Sequence, residues 1–226
     1  MITLPSHARR SRFGLALLAL VAAQGCAAAS PDAAVIARQG NGKGALACAT
    51  CHGVDGGGQA AAGFPRLAGL AAAYLERQLD SYADGTRSGP VMAPMANALT
   101  RDERHALAGY YSRLSVPTAA ANGAPTPNGD ALGQELATRG RWSKQVPACI
   151  ACHGPQGVGV GAGFPPLAGQ PATYIANQLR DWQAGTRKND PLDMMRRISL
   201  ALDAPDITAV SEWFAAQPAV LKGERP

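Results

Sequence analysis

The chain has 226 residues, enough for one or two domains, and a formal net charge of +5. Aromatic residues make up only 5% of it, and 26 glycines and 17 prolines are present, so each half would have a thin core without a buried cofactor. Because the sequence has neither a basic run nor a basic–aromatic patch, it gives no support to nucleic-acid binding.

The N-terminus is predicted to direct export. Arginines at positions 9, 10 and 12 precede the apolar stretch from Phe13 to Ala23, which is too short to span a bilayer comfortably. Small residues near Ala27 fit a cleavage site, so residues 1–29 are predicted to be a signal peptide and the mature chain to be periplasmic. Lipidation of Cys26 is a second option, and it would anchor the chain to a membrane. Removing the first 25 residues, which hold three arginines and no acid, lowers the formal charge to +2.

The remaining chain repeats itself at an offset of about 100 residues. The segment Gly-Phe-Pro-x-Leu-Ala-Gly begins at Gly63 and again at Gly163, and Gly-Thr-Arg begins at Gly85 and again at Gly185. A stretch rich in Ala, Pro, Asn and Gly separates the copies and is typical of a linker. We therefore predict a first domain at 31–115, a linker at 116–129 and a second domain at 130–226.

Within each copy the pattern predicts helices joined by Gly/Pro loops. Ala33–Gln39 and Ala71–Ala83 have helical spacing of apolar residues, and Gly40 and Gly85 are predicted to end them. Thr100 and Asp203 are predicted to cap the last helix of each copy. No segment shows convincing strand alternation, so the predicted fold class is all-α.

Each copy also contains the pentapeptide C-x-x-C-H, at Cys48–His52 and at Cys149–His153. Positions i, i+3 and i+4 of a helix share one face, so both thiols can meet the vinyl groups of one haem while the imidazole meets its iron. This spacing is typical of covalent attachment of haem c. Alternatives are an all-cysteine zinc site, a thioredoxin-like redox pair and structural disulfides.

A second axial iron ligand is expected to be methionine. At the offset of 103 residues that aligns the last helices, Met92 falls on Met195, whereas Met95 falls on Ile198 and Met194 on Val91. Only the first pair keeps sulfur in both copies, which favours ligation over the commoner use of methionine in a core. His105 has no histidine counterpart and is predicted to be a surface or packing residue.

Further residues are candidates for supporting the haems. The carbonyls of Pro65 and Pro165 are expected to accept the second N–H of each motif histidine. The repeated arginines at 87 and 187 would pair with haem propionates or remain solvated surface charges. The repeated pairs Tyr74/Tyr174 and Gln78/Gln178 would support the haem or simply pack.

Each half resembles a class I c-type cytochrome, and the tandem arrangement is similar to the dihaem cytochrome c4 family. The shared motifs, which cover nearly all of the mature chain, are C-x-x-C-H, Gly-Phe-Pro-x-Leu-Ala-Gly, Tyr-x-x-x-Gln-Leu and Gly-Thr-Arg. One departure is Leu70, where the family usually has Gln; Gln170 keeps it. The resemblance implies two domains packed about a pseudo-twofold axis and two covalent haem c groups. By resemblance, the covalent and axial ligands are Cys48, Cys51, His52 and Met92, and Cys149, Cys152, His153 and Met195.

The resemblance also implies a role in electron transfer and not in catalysis. The expected partners are redox proteins: a quinol-oxidising complex, a terminal oxidase or a dehydrogenase. Membrane association would come through Cys26 or through such a complex. Alternatives are a dedicated cytochrome subunit of a dehydrogenase complex and a dihaem peroxidase, although a peroxidase needs one open iron site.

Overall fold

The structure is a computed structural model that describes residues 31–117 and 127–219, together with Met1. The predicted signal peptide at 1–29, Cys26 and most of the predicted linker lie outside the described residues. In the described ranges the chain forms α-helices and short 3-10 helices and no β-strand, so the all-α prediction is confirmed. None of the helices in these ranges is long and apolar enough to cross a membrane.

The helices fall into two sets of five that follow the repeat. The first set is α1 (Ala33–Gln39), α2 (Ala49–His52), α3 (Ala72–Ala83), α4 (Met92–Asn97) and α5 (Arg101–Arg113). The second set is α6 (Pro127–Thr138), α7 (Ile150–His153), α8 (Ala172–Ala184), α9 (Met194–Leu200) and α10 (Ala204–Ala216).

Several helix ends form as their sequences predict. Helix α1 matches its predicted range, while α3 begins one residue later than predicted. Thr100 and Glu103 form a reciprocal capping box at the start of α5, and Asp203 and Asp206 form one at α10. These caps satisfy backbone N–H groups that have no partner within the helix. Helix α6 begins at Pro127, so the last residues of the segment predicted as linker are helical.

Each half has a small core of its own, built around the crossing of its first and last helices. In the first half, Ile36 of α1 packs with Leu107 and Tyr111 of α5. In the second half, Leu136 of α6 packs with Ile207 and Phe214 of α10. The helices α3 and α8 complete these two cores, and the haem motifs lie beside them.

The two halves meet through equivalent surfaces. Ser88 N–H donates to Thr186 O at 2.8 Å, and Lys188 N–H donates to Thr86 O at 2.6 Å. Because each bond is the counterpart of the other at the 100-residue offset, the halves are related by a pseudo-twofold axis. The backbone segments after α3 and α8 therefore form a short antiparallel bridge across this axis.

Candidate functional site

The two C-x-x-C-H motifs lie on the short helices α2 and α7. His52 N–H donates to Cys48 O and His153 N–H donates to Cys149 O, each at 2.9 Å. These i to i+4 bonds place the first cysteine and the histidine of each motif on one helical face. The local structure therefore has the arrangement that covalent haem attachment requires.

Both motif histidines are held by the carbonyl that the sequence indicated. His52 Nδ1 lies 2.9 Å from Pro65 O, and His153 Nδ1 lies 2.8 Å from Pro165 O. The carbonyls accept the Nδ1–H, which leaves Nε2 of each ring to bind iron. Burial lowers the pKa of both histidines, although the carbonyl contacts oppose this effect, and a lowered pKa favours the neutral ring that binds a metal.

The predicted methionine ligands lie at the start of α4 and α9. Met92 is the first residue of α4 and Met195 the second residue of α9, and both are half-buried. Met95, by contrast, has its sulfur engaged, since Leu46 N–H donates to Met95 Sδ at 3.4 Å. This contact supports Met92 as the methionine of the first domain whose sulfur is available to bind iron. The assignments of Met92 and Met195 as axial ligands remain predictions.

One mostly apolar cavity of about 950 Å³ runs through both halves. The motif cysteines and histidines of both domains line it. It is also lined by Met92, Met95, Met194 and Met195. The four motif cysteines form no disulfide, and no cluster of three or more His, Cys, Asp or Glu side chains forms among the described residues. The disulfide and all-cysteine zinc interpretations are therefore not supported by the arrangement of these residues.

Arg87 and Arg187 are buried where the two halves meet, with 3% and 5% of their surface exposed. The alternative that they are solvated surface charges is therefore wrong. Both guanidinium groups donate to Gln78 Oε1, each at 3.0 Å. Both also donate to Gln178 Oε1, Arg187 doing so at 2.9 Å. The repeated glutamines thus join the two domains and are not simple packing residues.

The repeated aromatic residues complete this polar cluster. Arg87 donates to Tyr174 OH at 3.1 Å and lies 4.6 Å from the ring centroid of Tyr82. Arg187 lies 4.1 Å from the ring centroid of Trp182. Burial alone would raise the pKa of Tyr174, but the positive charges of Arg87 and Arg187 outweigh burial and lower it.

The donors that line the cavity fit the carboxylates of a haem. Neither Arg87 nor Arg187 forms an ion pair with a carboxylate in the described part of the chain. Trp182 also lines the cavity, and its buried Nε1–H has no partner among the described residues. Buried donors and charges without partners are costly, and haem propionates would satisfy them.

Trp182 is a site residue that sequence reasoning missed. A signal was available, since Tyr82 occupies the same position at the 100-residue offset and also carries a donor. His105 behaves as predicted: its side chain is 75% exposed, and its Nδ1 contacts Glu76 Oε2 at 2.9 Å.

Comparison with known proteins gives consistent matches. The cytochrome c family matches residues 40–115 and 131–215. A protein of Stutzerimonas stutzeri strain A1501 described as "Thiosulfate dehydrogenase electron acceptor" is 51% identical over 171 residues, 76% of this chain and 79% of the relative. Cytochrome c4 of Pseudomonas aeruginosa is 37% identical over 202 residues, 88% of this chain and 96% of the relative.

A solved structure extends the likeness to tertiary structure. Thiosulfate dehydrogenase (TsdBA) from Marichromatium purpuratum, in its as-isolated form, superposes with a TM-score of 0.77 at 43% identity. The alignment covers 83% of this chain but only 40% of that one. The present chain is thus similar to a part of that longer protein.

Proposed function

The chain belongs to the cytochrome c family and is a cytochrome c4-like dihaem electron carrier with two covalent haem c groups. We propose that it accepts electrons from a thiosulfate-oxidising dehydrogenase. It would then pass them singly to a terminal oxidase or another acceptor. The assignment of the donor narrows the general expectation of a redox-protein partner to one class of dehydrogenase.

The relative at 51% identity carries this proposal, because its description names the role of electron acceptor for thiosulfate dehydrogenase. The cytochrome c4 of Pseudomonas aeruginosa is more distant, at 37% identity. The similar part of the longer TsdBA chain points to the same donor, because its structure is described as a thiosulfate dehydrogenase.

The side chains around each site suit outer-sphere electron transfer. When bound, each haem takes up and releases one electron. Pro65 and Pro165 hold the histidine rings in one orientation, and a methionine at 92 and at 195 would close the opposite side to substrates. Arg87 and Arg187 hold positive charge at the cavity wall, where it favours the reduced, less positive state.

Exposed apolar side chains near the predicted methionine ligands offer contact surfaces for partners. Val91 and Leu192 are 52% and 86% exposed and flank the segments that begin α4 and α9. One lies in each half, so donor and acceptor could use different domains. We expect this exchange to take place in the periplasm, in agreement with the predicted signal peptide. Lipidation of Cys26 is the alternative that would hold the carrier at the membrane.

The donor can be tested with holoprotein matured in an exporting, haem-ligating host. The oxidised protein is mixed with a thiosulfate dehydrogenase and thiosulfate, and reduction is followed by visible absorbance. We expect reduction of both haems that requires the enzyme and thiosulfate together. Failure here, combined with reduction by a quinol-oxidising complex, would refute the dehydrogenase assignment and leave the general role in electron transfer intact.

Two matched surface variants locate the entry point. Val91→Asp and Leu192→Asp each place a negative charge on a side chain that is more than half exposed. The proposal expects slower reduction by the dehydrogenase in one of them and unchanged spectra in both. Equal rates in both variants and the parent would contradict docking at these surfaces.

A further inference from the structure

The two copies of Gly-Phe-Pro-x-Leu-Ala-Gly differ at two linked positions. Arg66 of the first copy corresponds to Pro166 of the second, and Leu70 corresponds to Gln170. Each of the four side chains lines the cavity that the two halves share, and Arg66 and Gln170 contact each other across the halves. The asymmetry therefore falls where the pseudo-twofold axis relates the two halves.

Arg66 extends from the first domain to reach both halves. Its side chain is only 2% exposed, its Nη1 donates to Ala68 O at 2.7 Å, and its Nη2 donates to Ala168 O at 3.1 Å. The two acceptors are equivalent carbonyls at the 100-residue offset. A planar group that bonds two equivalent atoms at similar distances lies at or near the axis that relates them.

Gln170 reaches back across the same contact. Its Oε1 accepts from Arg66 N–H at 3.1 Å, and its Nε2 donates to Arg66 O at 3.0 Å. The symmetry-equivalent contact cannot form, because Pro166 has no backbone N–H and Leu70 has no side-chain amide. The two differences between the copies, Arg66/Pro166 and Leu70/Gln170, are therefore linked, because Arg66 and Gln170 bond each other across the axis.

Burial makes this position costly for a cation. Among the described residues Arg66 forms no ion pair with a carboxylate, and its Nε has no hydrogen-bond partner. Desolvation lowers the pKa of Arg66 to about 10. By symmetry, an arginine at position 166 would direct its guanidinium group at the same two carbonyls, Ala68 O and Ala168 O, which already accept from Arg66.

We propose that Arg66 and Gln170 form a clamp at the pseudo-twofold axis. In this clamp Arg66 is a positioning residue that holds the two haem domains in a fixed arrangement relative to each other. The clamp exists in one copy because an arginine of either copy would need the same two carbonyl acceptors. Its role is independent of the identity of the electron donor.

The proposal is tested with substitutions in the full-length holoprotein. Arg66→Met keeps the apolar stem and removes the two charged hydrogen bonds, which should lower the ratio of docked to undocked domains by about tenfold or more. Pro166→Arg adds a second guanidinium at the axis and should also open the contact, whereas the control Pro166→Ala should not. Exchanging all four positions (Arg66→Pro, Leu70→Gln, Pro166→Arg, Gln170→Leu) rebuilds the clamp from the other side and should restore docking.

Small-angle X-ray scattering reports docking as the radius of gyration, and potentiometry reports the separation of the two haem potentials. Unchanged His/Met absorption bands would show that each domain remains folded. We expect Arg66→Met and Pro166→Arg to enlarge the particle, and the four-residue exchange to be as compact as the parent. The clamp is refuted if Arg66→Met stays compact or the exchange stays open. It is equally refuted if Pro166→Arg stays compact or Pro166→Ala opens the contact.

Discussion

Replacing either methionine of the first domain tests the predicted axial ligand directly. Met92→Ala removes the sulfur that aligns with Met195, so the first iron should bind carbon monoxide and its reduction potential should fall, because methionine ligation raises the potential. Met95→Ala instead removes the sulfur that accepts the Leu46 N–H at 3.4 Å. It should leave ligation unchanged.

The cost of Met95→Ala can be worked from its environment. A fully buried methionine costs roughly 2–5 kcal/mol when truncated to alanine. Met95 is half-buried and loses one weak hydrogen bond, so we expect a loss of about 1–3 kcal/mol in the free energy of unfolding. Chemical denaturation measures this loss, and the carbon monoxide difference spectrum of the folded protein measures ligation.

The two variants control for each other, since both truncate a half-buried methionine of α4. We expect carbon monoxide to bind one haem of two in Met92→Ala and neither haem in Met95→Ala. Carbon monoxide binding in Met95→Ala, with none in Met92→Ala, would show that the alignment at offset 103 selects the wrong sulfur.

Three further changes probe other parts of the molecule. Trp182→Phe removes the unpartnered indole N–H and should lower the potential of the second haem alone in potentiometry; an equal shift at both haems would argue against its contact with one propionate. Gly133→Ala would place a Cβ within 2.3 Å of Ala209 O at the crossing of α6 and α10, so it should lower the free energy of unfolding by about 1–3 kcal/mol in chemical denaturation. An unchanged denaturation midpoint for Gly133→Ala would mean that α6 and α10 move apart to accept the added methyl group at no cost in stability. Thr100→Ala breaks the capping box of α5 and should cost about 1 kcal/mol in the same assay, while no loss would show that solvent replaces the cap.

Local chemistry was readable from the sequence because it depends on neighbours along the chain. The spacing of Cys48, Cys51 and His52 sets which groups share a helical face, and Thr100 needs a partner only three residues away. The 100-residue repeat then extended each assignment to the second half. The same repeat indicated Pro65 O and Pro165 O as acceptors, and the structure confirms both.

Tertiary structure decided what happens between the two halves. The sequence did not show whether Arg87 and Arg187 face solvent or the interior, and the structure buries both against glutamines of both domains. Arg66 and Gln170 are 104 positions apart, so no local pattern could pair them. A helix cap or a haem motif is satisfied within a few residues, whereas a buried charge is satisfied by whatever the packed domains bring to it.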